Sequence, residues 1–306
     1  MAYIIRSNKA VVDNNGKFPY VTPFGETNKY LAAYYNNMLS AGYTFSQAEF
    51  DALNTFTKAL IDQEIINSIV EIIPLIGGAN QAATLTKLKF LNSAKMTPIN
   101  TSAANFGDKG LKFDVYKTSG ADAFEIGFTD LDIWNKYSGF GYTAYFKFDN
   151  SDTRTSGRTV FGLSANSADI SNNSIGLNIL RNGVTQSRFM NSSPTNTVIA
   201  DFESPQLYSS FTKWNAIKNT TLRYTESNGS VLTNSSSNVL LNTPNANSSF
   251  NLGAFKVAAT PTAPTLGFHG KIRFLLFTNG ELTLAQLSTL NSSIMTLLTS
   301  LGKTTF

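Results

Sequence analysis

The sequence predicts a mainly β protein, an antiparallel sandwich preceded by a helical unit and followed by one terminal helix. Three observations carry this. Apolar residues recur at helical spacing early in the chain, and from about Leu85 the period shortens to that of alternating strands. The Asn-Gly pairs Asn182-Gly183 and Asn228-Gly229 sit beside strand-like runs, and Asn-Gly takes the positive backbone angles of a two-residue hairpin turn. Finally, Gly267–Leu301 places a long apolar strand, Lys271–Phe277, and a turn at Asn279-Gly280 directly before an amphipathic helix.

Taken in order, residues 1–25 read as an extended arm, because Asn14-Asn15-Gly16 is a turn and Pro19 and Pro23 oppose a helix. Residues 26–95 read as a helical unit. Tyr30, Leu31, Tyr34, Met38 and Leu39 form one stripe that Gly42 ends. Ser46 and Glu49 then form a capping box ahead of a second stripe, Phe50, Leu53, Phe56, Leu60 and Ile61. Ile65–Ile73 continues this unit as a more fully buried segment, stopped by Pro74 and Gly77-Gly78. Its apolar faces need cover, from the next domain or from another protein.

Residues 96–282 read as the sandwich. Strands are expected at Leu111–Val115, Phe124–Phe128, Tyr142–Phe148, Thr159–Leu163, Ser174–Arg181, Thr221–Glu226, Ser230–Thr233, Phe250–Phe255 and Leu266–Phe277. Tyr142, Ala144, Phe146 and Phe148 alternate with Thr143, Tyr145 and Lys147, which predicts one core face and one wet face. Residues 283–306 are the terminal helix, opened by a Thr283/Gln286 capping box and striped by Leu284, Leu287, Leu290, Ile294, Leu297, Leu298 and Leu301. The helix is expected to pack back on the N-terminal helical unit.

Composition narrows the function classes. Charged residues are only 14% of the chain, so Asn, Ser and Thr must supply much of the polar surface. The net charge of +4 is scattered without a basic run, which argues against nucleic acid as a partner. No cysteine is present, which removes disulfides, thiolate metal sites and cysteine nucleophiles. The first residues lack the apolar core of a signal peptide, and Ile65–Ile76 is too short and polar to span a bilayer. Synthesis in the cytosol and no membrane partner are therefore expected.

Several segments resemble a family in its expected order: GYTAYFKFD at 141–149, RTVFGLS at 158–164, SIGLNILRNG at 174–183, KWNAIKNTTLRYTESNGSVLT at 213–233, SFNLGAF at 249–255, and FHGKIRFLLFTNGELTLAQLSTLN at 268–291. Together they resemble a concanavalin A-like (laminin-G-like) lectin jelly roll, over about two thirds of the chain. LAAYYNNMLSAGYTFSQAEFDALNTFTKAL, at 31–60, resembles segments that precede such jelly rolls in tailed-phage virion proteins. The resemblance implies a non-enzymatic virion structural protein, a fibre, spike or capsid-decorating module made in the host cytoplasm. It would contact other virion proteins through the arm and helical unit, form a homo-oligomer, and attach to host surface glycan. The alternative is a carbohydrate-binding module with glycan recognition as its main role; a second alternative is a polysaccharide depolymerase.

The chemistry legible in the residues favours binding over catalysis. Hydrolases with this fold typically carry E-x-D-x-E or E-x-D-x-x-E on one strand. The nearest approach here, Asp130-Leu131-Asp132-Ile133-Trp134-Asn135, ends on an amide that cannot donate a carboxyl proton. Trp134, Tyr137 and Tyr142, in or beside a glycine-containing loop, are the candidate sugar platform. Asp130, Asp132, Asp149 and Asp152 are candidate calcium ligands, weighed against the ordinary role of Asp in starting turns. No other cofactor is expected. His269 is the single histidine, which leaves a catalytic triad little to work with, and it is expected to hydrogen-bond where its strand begins.

Overall fold

Strand β17, Gly270–Asn279, lies at the middle of the molecule. The computed structural model describes residues 20–99, 101–107, 110–114, 122–149, 151, 158–163, 175–179, 184–188, 195–198, 204–236, 238–241, 249–254 and 267–306. The first part of the expected arm, residues 1–19, lies outside these, as do Asp152 and Asn182-Gly183.

A short hairpin, β1 (Tyr20–Thr22) and β2 (Gly25–Thr27), opens the described chain. Helices α1 (Lys29–Ser40) and α2 (Gln47–Asp62) follow. Asn28 caps α1, and the Ser46/Glu49 capping box opens α2. The chain then runs through strand β3 (Ile69–Ile73), the one-turn α3 (Gln81–Thr84), β4 (Thr97–Ile99), β5 (Phe106–Gly107), β6 (Gly110–Phe113) and β7 (Ala123–Thr129). Helix α4 (Asp130–Lys136) leads into β8 (Gly139–Phe148). Next come β9 (Arg158–Leu163), β10 (Ile175–Ile179), β11 (Val184–Arg188), β12 (Thr195–Val198) and β13 (Gln206–Trp214). Strands β14 (Thr220–Ser227), β15 (Ser230–Ser235) and β16 (Ser249–Leu252) precede β17, and α5 (Leu284–Ser300) closes the chain behind its Thr283/Gln286 box.

Besides the β1–β2 hairpin, the described strands form two antiparallel sheets, as the sequence predicts for a mainly β chain flanked by helices. The first runs β15-β14-β13-β8-β17-β6-β5, with β3 also beside β17; the second runs β12-β11-β10-β9-β16-β7-β4. The β14–β15 hairpin turns on Asn228 and Gly229, at φ of 47° and 81°, as the Asn-Gly pair requires. Between the sheets lies a core rich in phenylalanine, including Phe128, Phe140, Phe146, Phe161, Phe250 and Phe277. At the turn after β17 the backbones of Gly139 and Gly280 touch: a Cβ on Gly139 would lie 2.4 Å from Gly280 Cα, so a side chain there would part the strands.

The expected wet face is instead a second core. Thr143 and Tyr145 of β8 are buried, because α1, α2 and α5 cover the outer face of the first sheet. The stripes of these helices meet Tyr145, Leu207, Phe211, Phe274 and Leu276 there, and α5 packs along α2. The molecule thus has three layers, helices on sheet on sheet. At one end, around Lys112, Lys147 and Lys271, the outer face escapes that cover.

A second difference concerns Ile65–Ile73, read from sequence as part of the helical unit. It becomes a one-turn 3-10 helix and then β3, whose residues are all buried. Periodicity cannot separate a buried strand from a buried helix in so short an apolar run. Strand β17 offers one open edge to two partners: β6 pairs with Gly270–Ile272 and β3 with Leu275–Thr278. A bulge at Arg273 marks the handover.

The register places Glu71 opposite Phe277, facing the sandwich interior. Lys87 meets it there, its Nζ 3.0 Å from Oε2 and 3.1 Å from Oε1, with both side chains fully buried. The Lys87 ammonium also donates to Ile126 O of the second sheet, and Leu91 N donates to Glu71 Oε1 at 3.3 Å. Burial raises the Glu71 carboxyl and lowers the Lys87 amine, and each partner's charge works against that shift. A second buried lysine, Lys303, donates to Pro74 O and Leu75 O, each at 2.8 Å. Arg273 donates to Lys303 O at 2.6 Å and to Thr305 O, and its guanidinium lies 3.8 Å from the Phe306 ring centre. These contacts fasten the C-terminal segment across β17 and the end of β3.

Two predictions follow from these buried cations. Lys87→Met strands a buried carboxylate and should cost about 3–5 kcal/mol in urea unfolding, whereas Glu71→Leu/Lys87→Met should recover most of that loss. Burial, reinforced by Arg273, pushes the Lys303 amine down to about 7 from 10.5. Between those values the unfolded chain holds a proton that the folded chain does not. Stability should therefore rise from pH 7 towards 10, by up to about 1.4 kcal/mol per unit, and Lys303→Met should remove that increment.

Candidate functional site

The residues expected to form a sugar platform are mostly interior. Tyr142 is 2% exposed and packs between the sheets, 4.4 Å from the ring of Phe161. It belongs to the core-facing set of β8. Trp134 is 9% exposed. Lys218 covers its ring at 4.5 Å and donates to Trp134 O at 2.8 Å. Trp214 Nε1 donates to Tyr137 O at 3.1 Å, and Tyr137 is half-buried. This cluster plugs the end of the sandwich, so its indole face is already occupied by a cation of the chain itself.

Of the four aspartates expected to bind calcium, Asp152 lies outside the described residues, and Asp132 and Asp149 stand apart. Asp130 heads α4, and its side chain lies outside the described residues. Asp132 is the N3 residue of α4, where Oδ2 accepts from Thr129 N at 2.8 Å, Thr129 Oγ1 at 3.1 Å and Asn92 Nδ2 at 3.0 Å. Asp149 lies at the far end of the ten-residue β8, roughly 30 Å away at strand rise. Its Oδ1 accepts from Ser151 N at 3.0 Å and Ser151 Oγ at 2.7 Å. Those bonds, with minor help from His269 and Lys112, hold its carboxyl below the usual range. Both carboxylates are thus engaged in local capping and turn bonds. Among the described residues no cluster of three or more metal-ligating carboxylate or histidine side chains occurs. His269 precedes β17, 3.5 Å from Asp114 Oδ1 and 3.7 Å from Asp149 Oδ2.

A different concavity has the makings of a binding site. Between the outer face of the first sheet and α5 runs a groove of about 930 Å³. The i, i+2 spacing on β14 puts Tyr224 and Glu226 on this face, and β8 and β13 add Tyr145 and Leu207. Helix α5 lays Asn291 over them. The Asn291 amide donates to Glu226 Oε1 at 3.0 Å, and its carbonyl accepts from Ser209 Oγ at 2.8 Å. The Tyr224 hydroxyl donates to Glu226 Oε2, and burial, aided by that bond, pushes the phenol above its usual range.

Both Glu226 oxygens are therefore engaged, and the buried polar chain sets the height of α5 above the sheet. Around this floor stand exposed groups: Asn228, Val231, Asn234, Ser288 and Ser292, with half-buried Met295. Sequence held a signal for this place. Asn291 interrupts the apolar stripe between Leu287 and Ile294, and a polar residue on a buried helix face needs a polar partner.

No family model and no curated protein matches this chain. Solved structures do resemble it. Trypanosoma rangeli sialidase, in complex with a difluorinated KDN, matches 81% of this chain and 40% of its own at 13% identity, with a TM-score of 0.50. NanB sialidase from Streptococcus pneumoniae matches 61% of this chain and 28% of its own at 14% identity and a TM-score of 0.41. The sialidase carbohydrate-binding module CBM40 of Ruminococcus gnavus, bound to sialyllactose, matches 53% of this chain and 91% of its own at 10% identity and a TM-score of 0.39. The chain therefore spans less than half the length of the two sialidases. At these identities the likeness describes the fold alone, an antiparallel β-sandwich.

Replacing Asn291 by Leu should leave Glu226 and Ser209 without their buried partner. The expected cost is about 1–3 kcal/mol in urea unfolding.

Proposed function

We propose that this chain is a non-catalytic carbohydrate-binding module and that the groove beneath α5 is its glycan site. The observation that carries the reading is the composition of that groove: a floor of tyrosine and aliphatic side chains, ringed by side-chain amides and hydroxyls. Sugars present apolar C–H faces and a fringe of hydroxyls, which such a surface complements. Most glycoside hydrolases use two carboxylates about 5–10 Å apart, and the described groove lining holds Glu226 alone, fastened by Tyr224 and Asn291. In that described lining the depolymerase alternative finds no carboxylate pair.

Assembly into a phage particle, which the sequence resemblance implies, is the second reading. The feature that favours it is an open groove of about 660 Å³ between α2 and α5, lined by small side chains such as Ala48, Ala52, Ala59, Ser292 and Thr296. A segment of another virion protein or of a second copy would seat there. The apolar stripes of the helices are already spent on the sheet beneath.

Screening immobilised neutral glycans should return ligands with Kd near ~0.1–1 mM, effective in multivalent display. Val231→Arg and Asn234→Ala, both at the exposed rim, should abolish that binding while leaving the thermal midpoint unchanged. A protein that binds no glycan, or whose binding survives both substitutions, would remove the groove from consideration.

A further inference from the structure

The uncovered end of the first sheet carries a row of lysines set by strand register. Lys271 of β17 lies directly opposite Lys112 of β6 on one side and Lys147 of β8 on the other. Like charges directly opposite across antiparallel strands repel, and here the central lysine has one on each flank. All three belong to the outward-facing set; Lys112 and Lys271 are exposed and Lys147 is half-buried. Among the described residues none of the three ammonium groups has an ion-pair or hydrogen-bond partner. Of the carboxylates one step along, Asp114 faces His269, while Asp149 lies near His269, holds Ser151, feels the Lys112 charge and stands at the edge of the row.

The row is also concave. Two grooves, of about 390 and 230 Å³, adjoin over it and share Lys112, Lys271 and Phe306 as walls. Phe306 is held in place by Arg273 on its face and by Tyr145, 5.3 Å from ring to ring. The floor is therefore rigid sheet, and one wall is an aromatic ring fixed by the C-terminal fastening.

We propose that this lysine row is a second binding site, which takes the sulfate or carboxylate groups of an acidic glycan. Like charges in adjacent register repel, and a bound anion relieves that repulsion. Two strand spacings separate the outer lysines, about 10 Å, which matches acidic groups on one or two adjacent sugar residues. The row is too short for the long basic stripe that a nucleic-acid backbone needs. Lysine acts as a point charge without the planar fork of arginine, so the site reads charge and spacing more than the geometry of one oxyanion. This site is separate from the groove beneath α5 and does not depend on it.

Titration calorimetry of the full chain at low salt would compare four probes: a sulfated heparin oligosaccharide, a carboxylate-only hyaluronan oligosaccharide, a neutral oligosaccharide of equal length, and a single-stranded oligonucleotide of equal charge. At least one acidic oligosaccharide should bind, more weakly as salt rises, and its relative strength tells sulfate from carboxylate. Lys271→Gln and Lys147→Gln should each weaken that binding by about fivefold or more. Neither should lower the thermal midpoint, because each removes repulsion. Val231→Arg, in the other groove, should leave it intact. The proposal is overturned if the acidic and neutral sugars bind alike, if the oligonucleotide binds as tightly, or if both glutamine variants bind like the parent. A lowered midpoint in Lys271→Gln would also overturn it, by showing that the lysine already has an internal partner.

Discussion

Strand β17 must be buried on both faces at once, and most of the architecture is the solution to that requirement. Its inward set, Ile272, Leu275 and Phe277, needs a second sheet; its outward set, Phe274 and Leu276, needs helices. A strand apolar on both faces cannot sit in a two-layer sandwich with one side in water. Hence α1, α2 and α5 form a third layer, and the polar residues of the neighbouring strands must find partners beneath it. Thr143 and Ser209 do so through Asn291, and Tyr224 through Glu226, which Asn291 also binds. Where helical cover stops, the same face becomes a surface of lysines.

Much of this was legible in the residues. Capping boxes at Ser46 and Thr283, the stripes behind them, and the Asn228-Gly229 turn are local signals, and each stands where the chain indicates. Long-range choices were not legible. Thr143 and Tyr145 alternate with apolar residues as a solvent face does, and only the arrival of helices from both ends of the chain buries them. Ile69–Ile73 becomes a strand because β17 has a free edge to fill, a fact about residues some two hundred positions away. The expected sugar platform is largely interior for a related reason. Trp134 and Tyr142 are the chemical types that bind sugars, but large aromatics are also what a sandwich interior is built from, and sequence does not say which demand prevails. Glu226 and Asn291 were readable only as a polar pair awaiting a meeting.

The two buried lysines do different work. Lys87 neutralises a carboxylate inside the sandwich and, through Ile126, links β3 to the opposite sheet. Lys303 makes no ion pair among the described residues, Glu49 acting on it only from a distance; its partners are the carbonyls of Pro74 and Leu75, where Leu75 takes a left-handed φ of 53°. Carbonyls at such a turn lack strand partners, and a lysine from the far end of the chain supplies donors to them. Specificity in this fold thus rests on a few polar contacts placed where apolar packing alone leaves register undecided.

The pairing of β3 with β17 has a consequence for how the protein is made. During synthesis, roughly two hundred residues emerge between these strands. Until β17 follows, β8 presents an unpaired edge, the phenylalanine-rich interior lacks its central wall, and the stripes of α1 and α2 lack Phe274 and Leu276 to pack on. Neither hydrophobic layer can close on a growing chain. A ribosome that stalls before residue 270 releases a polypeptide with both apolar surfaces open, a substrate for chaperones and proteases rather than a smaller folded protein.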